Sequence, residues 1–239
     1  MFRRSVARPQ AEQYFLDFIT STRLGVVLVG CCAAFILTFV GLAAGDGFLL
    51  RYGFKFPLTY QEGGAIAYNI GFGLPLVALV CWKRHEFKRI FFGDLDTRRV
   101  LFIGLVPALT LFLPWAGLII SLSYSFHTSL RDYMQKSVYA PSLLLLAMLP
   151  IGPFVEEMIF RVWLQTRLQQ YLGGLAGAIL TGIVFFGAHL STDLSLIPFI
   201  ALLSWLRLRY TSLGTTLITH YTWDLLMFLF GVWAAWPTR

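Results

Sequence analysis

Long apolar stretches separated by short polar segments set the pattern of this chain. A membrane-spanning helix needs about 20 mostly apolar residues, and the first such run covers 24–44. Arg3, Arg4, Arg8 and Arg23 precede it, as in a signal peptide, but the run exceeds the roughly 7–15 apolar residues of a signal sequence, so a retained anchor is expected. Further runs cover 63–82, 100–122 (with Pro107 and Pro114 inside), 175–190, 194–206 and 213–233. Prolines are tolerated in transmembrane helices when neighbouring groups satisfy the freed carbonyls. Between the third and the later runs, an element begins near Ala140 and is expected to kink at Pro150 and Pro153. It then continues as an amphipathic helix to Tyr171, where Gly173-Gly174 stops it. The pattern predicts an all-α polytopic membrane protein with seven, or eight, transmembrane helices and a proline-kinked fourth helix. It divides into a cytoplasmic N-terminal segment (1–23), N-terminal transmembrane helices (24–139) and a transmembrane core (140–233).

Composition supports this reading. Of 239 residues, 57% are hydrophobic and 13% charged, against roughly 45–50% and 25% in soluble domains, which excludes a water-soluble globule, a disordered chain and a nucleic-acid binder. Cys31, Cys32 and Cys81 all lie in apolar runs and form no disulfide or C-x-x-C framework. The net charge of +7 changes meaning once its carriers are placed. Lys and Arg concentrate in 1–23, in 83–99, at Arg167 and at Arg207 with Arg209. The opposite loops hold Arg51, Lys55, Arg131, Lys136 and Arg239. The positive-inside rule then puts the N-terminus in the cytoplasm.

Ionisable groups within apolar spans are costly, by about 2.5–3.5 kcal/mol each on insertion scales, and are functional candidates by default. Of the acidic residues only Glu156, Glu157 and Asp224 fall within the runs, together with Arg161, His189 and His220. Glu157 and Arg161 stand i,i+4 on a helix and are expected to form an ion pair. Glu156 points about 100° away from Glu157 and is not neutralised by the same arginine. An unpaired carboxylate in a low-dielectric setting is suited to general-base work near neutral pH. His220 and Asp224 are again i,i+4. Peptide hydrolysis needs a base to deprotonate water, a group to orient it and donors for the developing oxyanion, and these residue types can supply all three. A marked nucleophilic serine in G-x-S-x-G is absent. Zinc chemistry with two histidines and a carboxylate is an alternative, although H-E-x-x-H is absent. A proton-relaying transporter or channel is another, weakened by the lack of broken-helix repeats.

Three ordered motifs carry a family resemblance: Glu156-Glu157-Met158-Ile159-Phe160-Arg161 as E-E-x-x-x-R, Phe185 to His189 as F-x-x-x-H, and His220 to Asp224 as H-x-x-x-[N/D]. Over residues 140–233 the chain resembles the CPBP family of glutamic intramembrane proteases, which includes CAAX prenyl endopeptidases and bacteriocin-processing or immunity (Abi-type) proteins. The resemblance implies a metal-independent intramembrane endopeptidase with no cofactor. In it Glu156 activates water with help from His189, Glu157 pairs with Arg161, and His220 with Asp224 forms the oxyanion site. Asp224 departs from the Asn of the prenyl endopeptidases. Asn donates a hydrogen bond whereas an ionised Asp only accepts, so Asp224 is expected to orient or charge His220. The resemblance further implies a membrane-anchored protein or peptide substrate cut near a C-terminal or leader segment, a lipid environment, no nucleic acid, and a bacterial inner membrane. A zinc-dependent protease, a CAAX prenyl endopeptidase proper and a non-catalytic immunity or interaction protein are its alternatives.

Depth poses a conflict. At a 1.5 Å rise per residue, Glu156 lies about 24 Å inward from Ala140, and His189 about 24 Å the opposite way from Gly173. The two cannot meet within a core of about 30 Å unless the fourth helix proper begins at Pro150–Pro153. In that case Glu156 sits near its outer end and the cleft opens toward the outer leaflet.

Overall fold

A computed structural model describes residues 8–51, 66–125, 150–189 and 194–235, and within them the chain is all-helical, with no strand. Helix α1 (Arg8–Ser21) presents Phe15, Phe18 and Ile19 at i, i+3 and i+4, and all three are buried. The leading segment from Arg8 onward is thus helical and anchored in the core. Helix α2 (Leu24–Arg51) contains the apolar span Leu24–Ala44. Helix α3 (Ile66–Trp82) includes a π-helical stretch, Asn69–Gly73, that packs on α2. After Lys83 the chain turns by 99° into α4 (Arg84–Phe92). This short helix is amphipathic: Ile90 is buried and Phe87 and Phe91 half-buried, while Arg84, His85, Lys88 and Arg89 are exposed. In its first turn the Glu86 carboxyl is held below the usual range by its own main-chain amide, with Lys83 3.5 Å away.

Helix α5 (Thr97–Ser125) takes both Pro107 and Pro114 into its interior. Helix α6 spans 152–172 in three windings, α-helical over Gly152–Glu156, π-helical over Glu157–Gln165 and α-helical over Thr166–Leu172. Helices α7 (Gly174–Ala188), α8 (Ile197–Tyr210) and α9 (Leu213–Ala235) complete the described chain. The turn from α6 to α7 uses Gly173 at φ +83°, a conformation that L side chains rarely adopt. Past it the helices close so tightly that a Cβ on Gly177 would stand 2.6 Å from the Gln169 main-chain nitrogen.

The expected seven or eight spans are not what the described residues display. Three helices are long and apolar enough to cross a membrane, Leu24–Ala44, Thr97–Ser125 and Leu213–Ala234, or four if the bent pair α3–α4 is one span. Helices α7 and α8 are too short: their 15 and 14 residues rise only about 22 and 21 Å against a core of about 30 Å. Helix α6 is loaded with polar groups. The expected kink in the fourth element falls at the edge of the described residues, where Pro150 and Ile151 form a turn and α6 starts at Gly152. Pro153 falls in the first turn, where its missing N–H has no intrahelical partner to lose. The earlier part of that predicted helix, 140–149, lies outside the described residues, as do 63–65 and residue 190 at the edges of two other predicted runs.

Two of the apolar interiors flank the candidate residues. One gathers Phe15, Phe18 and Leu24 with Leu76, Ile90, Val155, Met158 and Leu213, so α1 to α4 pack around the start of α6 and of α9. The other is aromatic, with Phe112, Trp115, Phe199 and Trp223 joining α5, α8 and α9. Thr219 on α9 donates to the Gly104 carbonyl of α5 at 2.9 Å. The candidate residues lie between these interiors.

Candidate active site

All six candidate residues converge, from α6, α7 and α9. Glu156 lies in the first turns of α6, which begins at Gly152, and its Oε2 is 3.6 Å from His189 Nε2, so the two residues whose estimated depths conflicted do meet. Tyr221, next to His220, donates its hydroxyl to the Pro150 carbonyl and so ties α9 to the turn that opens α6.

Glu157 and Arg161 are both fully buried, with Glu157 Oε2 3.5 Å from Arg161 Nε. The second carboxylate oxygen, Glu157 Oε1, receives a hydrogen bond from His220 Nδ1 at 3.0 Å. This contact was not foreseen from spacing, which paired Glu157 with Arg161 and His220 with Asp224. His220 is 4% exposed, and its Nε2 faces Glu156 Oε2 at 3.5 Å and Asp224 Oδ2 at 3.9 Å. The His220–Asp224 separation exceeds a hydrogen bond, whose N···O distance is about 2.7–3.2 Å. The imidazole is instead seated by Glu157 and by the Phe199 ring, whose centroid is 5.3 Å away at a T-shaped angle.

His189 is seated by its own helix. Its Nδ1 donates to the Phe185 carbonyl at 2.8 Å, and since a carbonyl only accepts, Nδ1 carries a proton and Nε2 is left to face Glu156. Phe185 supports the whole group: its ring lies 4.5 Å from His189, 6.0 Å from His220 and 5.0 Å from the Arg161 guanidinium. Exposure sorts the residues into two sets. Glu157 and Arg161 are at 0% and His220 at 4%, whereas Glu156, Asp224 and His189 reach 24%, 25% and 31%. The open set borders the region that a substrate could enter, and the closed set lies behind it.

Sequence reasoning missed other buried polar residues, of which Ser204 and Arg207 bear on the site. Ser204 on α8 accepts a hydrogen bond from Arg161 Nη1 at 3.1 Å, and its carbonyl accepts from Gln165 Nε2 at 3.2 Å. Arg207, expected among the loop cations, is fully buried instead. It donates from Nη2 to Thr166 Oγ1 at 3.1 Å and lies 3.6 Å over the Phe15 ring of α1. Its position at the end of an apolar run made it look like a loop residue, and only the packing of α1 encloses it. Among the described residues no group of three or more His, Cys, Asp or Glu side chains is placed to hold a metal ion.

A carboxylate and histidine centre carried by apolar helices defines a helical membrane protein with the makings of a hydrolytic site. Residues 138–226 match the Rce1-like family, described as type II CAAX prenyl endopeptidase Rce1-like. The match agrees with the resemblance carried by the three motifs, includes Glu156, Glu157, Arg161, His189, His220 and Asp224, and supports a CAAX-type intramembrane protease in general. Nothing matches the chain among curated proteins or among solved structures.

Proposed function

We propose that the chain is an intramembrane endopeptidase of the glutamic type, acting on a peptide bond near a membrane-anchored C-terminal or leader segment. The observation that carries this reading is the position of Glu156. Its Oε2 lies 3.5 and 3.6 Å from the two imidazole Nε2 atoms and holds no hydrogen bond of its own, while Glu157 is committed to Arg161 and His220, which leaves Glu156 as the carboxylate to act on an attacking water. Glu156 takes a proton from that water as it attacks the scissile carbonyl, and His189 Nε2 accepts a second hydrogen bond from it and so orients it. The carbonyl oxygen becomes an oxyanion. His220, anchored through Nδ1–H to Glu157, offers Nε2–H to it when that nitrogen is protonated. Asp224 acts on His220 as a carboxylate rather than as an oxyanion donor. Collapse of the intermediate breaks the C–N bond, and the proton held by Glu156 passes to the leaving amine.

The test uses the full chain in proteoliposomes with two probes: a quenched peptide ending in a farnesylated CAAX tail, and a peptide carrying a C-terminal apolar helix followed by a basic tail. Glu156→Gln, which keeps the shape and removes the base, is expected to lower kcat by about 10²-fold or more. An excess of chelator is expected to leave the rate unchanged. Full activity of Glu156→Gln would remove the proposal, and loss of activity with chelator, restored by zinc, would replace it with a metalloprotease.

A further inference from the structure

Arg161 neutralises the buried Glu157, yet the ion pair alone does not fix the guanidinium. The Arg161 Nε to Glu157 Oε2 separation is 3.5 Å, and neither Nε nor Nη2 has a hydrogen bond of normal geometry. The remaining terminal nitrogen, Nη1, donates to Ser204 Oγ at 3.1 Å. Ser204 is itself 6% exposed and stands on α8, a helix that contributes none of the six motif residues. One turn further along α6, Gln165 Nε2 donates to the Ser204 carbonyl at 3.2 Å. A single residue of α8 therefore grips α6 at two successive turns.

Resting on the endopeptidase reading above, we propose that Ser204 is a positioning residue of the same site, acting through Arg161 and Glu157 on His220. The hydroxyl sets the height and rotation of the guanidinium. The guanidinium holds Glu157 Oε2, and with that oxygen restrained, Oε1 meets His220 Nδ1 at 3.0 Å. The Nε2 edge of His220 is thereby aimed at Glu156 and Asp224. Removal of the hydroxyl leaves a third buried guanidinium nitrogen without an acceptor, and Arg161 then moves to find one. Glu157 follows its counter-ion, and the imidazole turns with it.

Ser204 also lines an apolar cavity of about 370 Å³ between α7 and α8, beside Gly182, Ile200 and Trp205. That space accommodates the additional methyl group of a threonine, so Ser204→Thr keeps the acceptor while Ser204→Ala removes it.

The test needs no knowledge of the natural substrate. The chain has four histidines, so the full-length protein labelled with ¹⁵N-histidine in detergent micelles gives few imidazole signals, and His220→Gln assigns the one from His220. Ser204→Ala is expected to displace the His220 Nδ1–H signal, and Ser204→Thr to return it to the wild-type position. On the farnesylated CAAX probe, Ser204→Ala is expected to lower kcat about tenfold or more with KM unchanged, and Ser204→Thr to restore it. A wild-type His220 signal in Ser204→Ala, or a displaced one in Ser204→Thr, overturns the positioning role. Failure of the endopeptidase reading is separable, because it appears as an active Glu156→Gln whatever the His220 signal does.

Discussion

Removing one member of the Glu157–Arg161 pair should damage the protein far more than removing both. The charges are 3.5 Å apart and neither side chain is exposed, so at an effective dielectric of about 20 their attraction is of order 5 kcal/mol. Breaking a buried pair by deleting one partner costs about 3–5 kcal/mol, because the other charge is left uncompensated. Arg161→Met strands Glu157, and Glu157→Gln strands Arg161, so each is expected to lose about 3–5 kcal/mol. The double variant leaves no buried charge there, and the Gln oxygen still accepts from His220 Nδ1, so its loss is expected to stay within about 1–2 kcal/mol. The assay is reversible unfolding of the four proteins in mixed micelles by increasing SDS, followed by tryptophan fluorescence. Losses that add to within about 0.5 kcal/mol would mean that the sites are independent, which would refute a charge-coupled pair.

Two further outcomes follow from the helix geometry. Gly177→Ala places a Cβ 2.6 Å from the Gln169 nitrogen, and because that atom is main chain the hairpin of α6 and α7 must open; a loss of about 1–3 kcal/mol is expected, read as a lower melting temperature. Gly152, where an added Cβ meets nothing within 4 Å, takes a cysteine without strain. In a background lacking Cys31, Cys32 and Cys81, Gly152→Cys is expected to react with a membrane-impermeant maleimide from the outer face of oriented vesicles, and labelling from the cytoplasmic face alone refutes an outward-opening cleft.

Spacing made the polar constellation readable, since Glu157 with Arg161 and His220 with Asp224 are neighbours on any helix. It could not reveal that His220 turns away from hydrogen-bonding distance of Asp224 to bond Glu157, because that choice depends on how α9 lies against α6. The packing of α1 was in principle legible: Phe15, Phe18 and Ile19 follow a helical stripe, but the surrounding charges made the segment look like a tail. Arg207 was misplaced for the complementary reason, a cation near the end of an apolar run being normally a loop residue. Ser204 gave no signal, as one serine within apolar helix has no pattern to belong to. The described residues carry three or four helices that pass as spans by length and composition, and the apolar runs at α7 and α8 stop at 15 and 14 residues because hydropathy registers apolar residues and not whether a helix is long enough to cross.

The two glutamates straddle a change of winding: Glu156 closes the α-helical first turn of α6 and Glu157 opens its nine-residue π-helical stretch. A π-helix fits one more residue into each hydrogen-bonded loop than an α-helix does, so this stretch holds surplus chain relative to its neighbours. Deleting one residue between Glu157 and Arg161 would let the segment relax to ordinary winding with little change in helix length. The same deletion would shorten their spacing from four positions to three and rotate the guanidinium away from Ser204 and Phe185. The surplus makes α6 tolerant of length change as a piece of helix and intolerant of it as a frame for chemistry. Insertions and deletions across Glu157–Gln165 are therefore expected to abolish turnover in chains that still fold and insert.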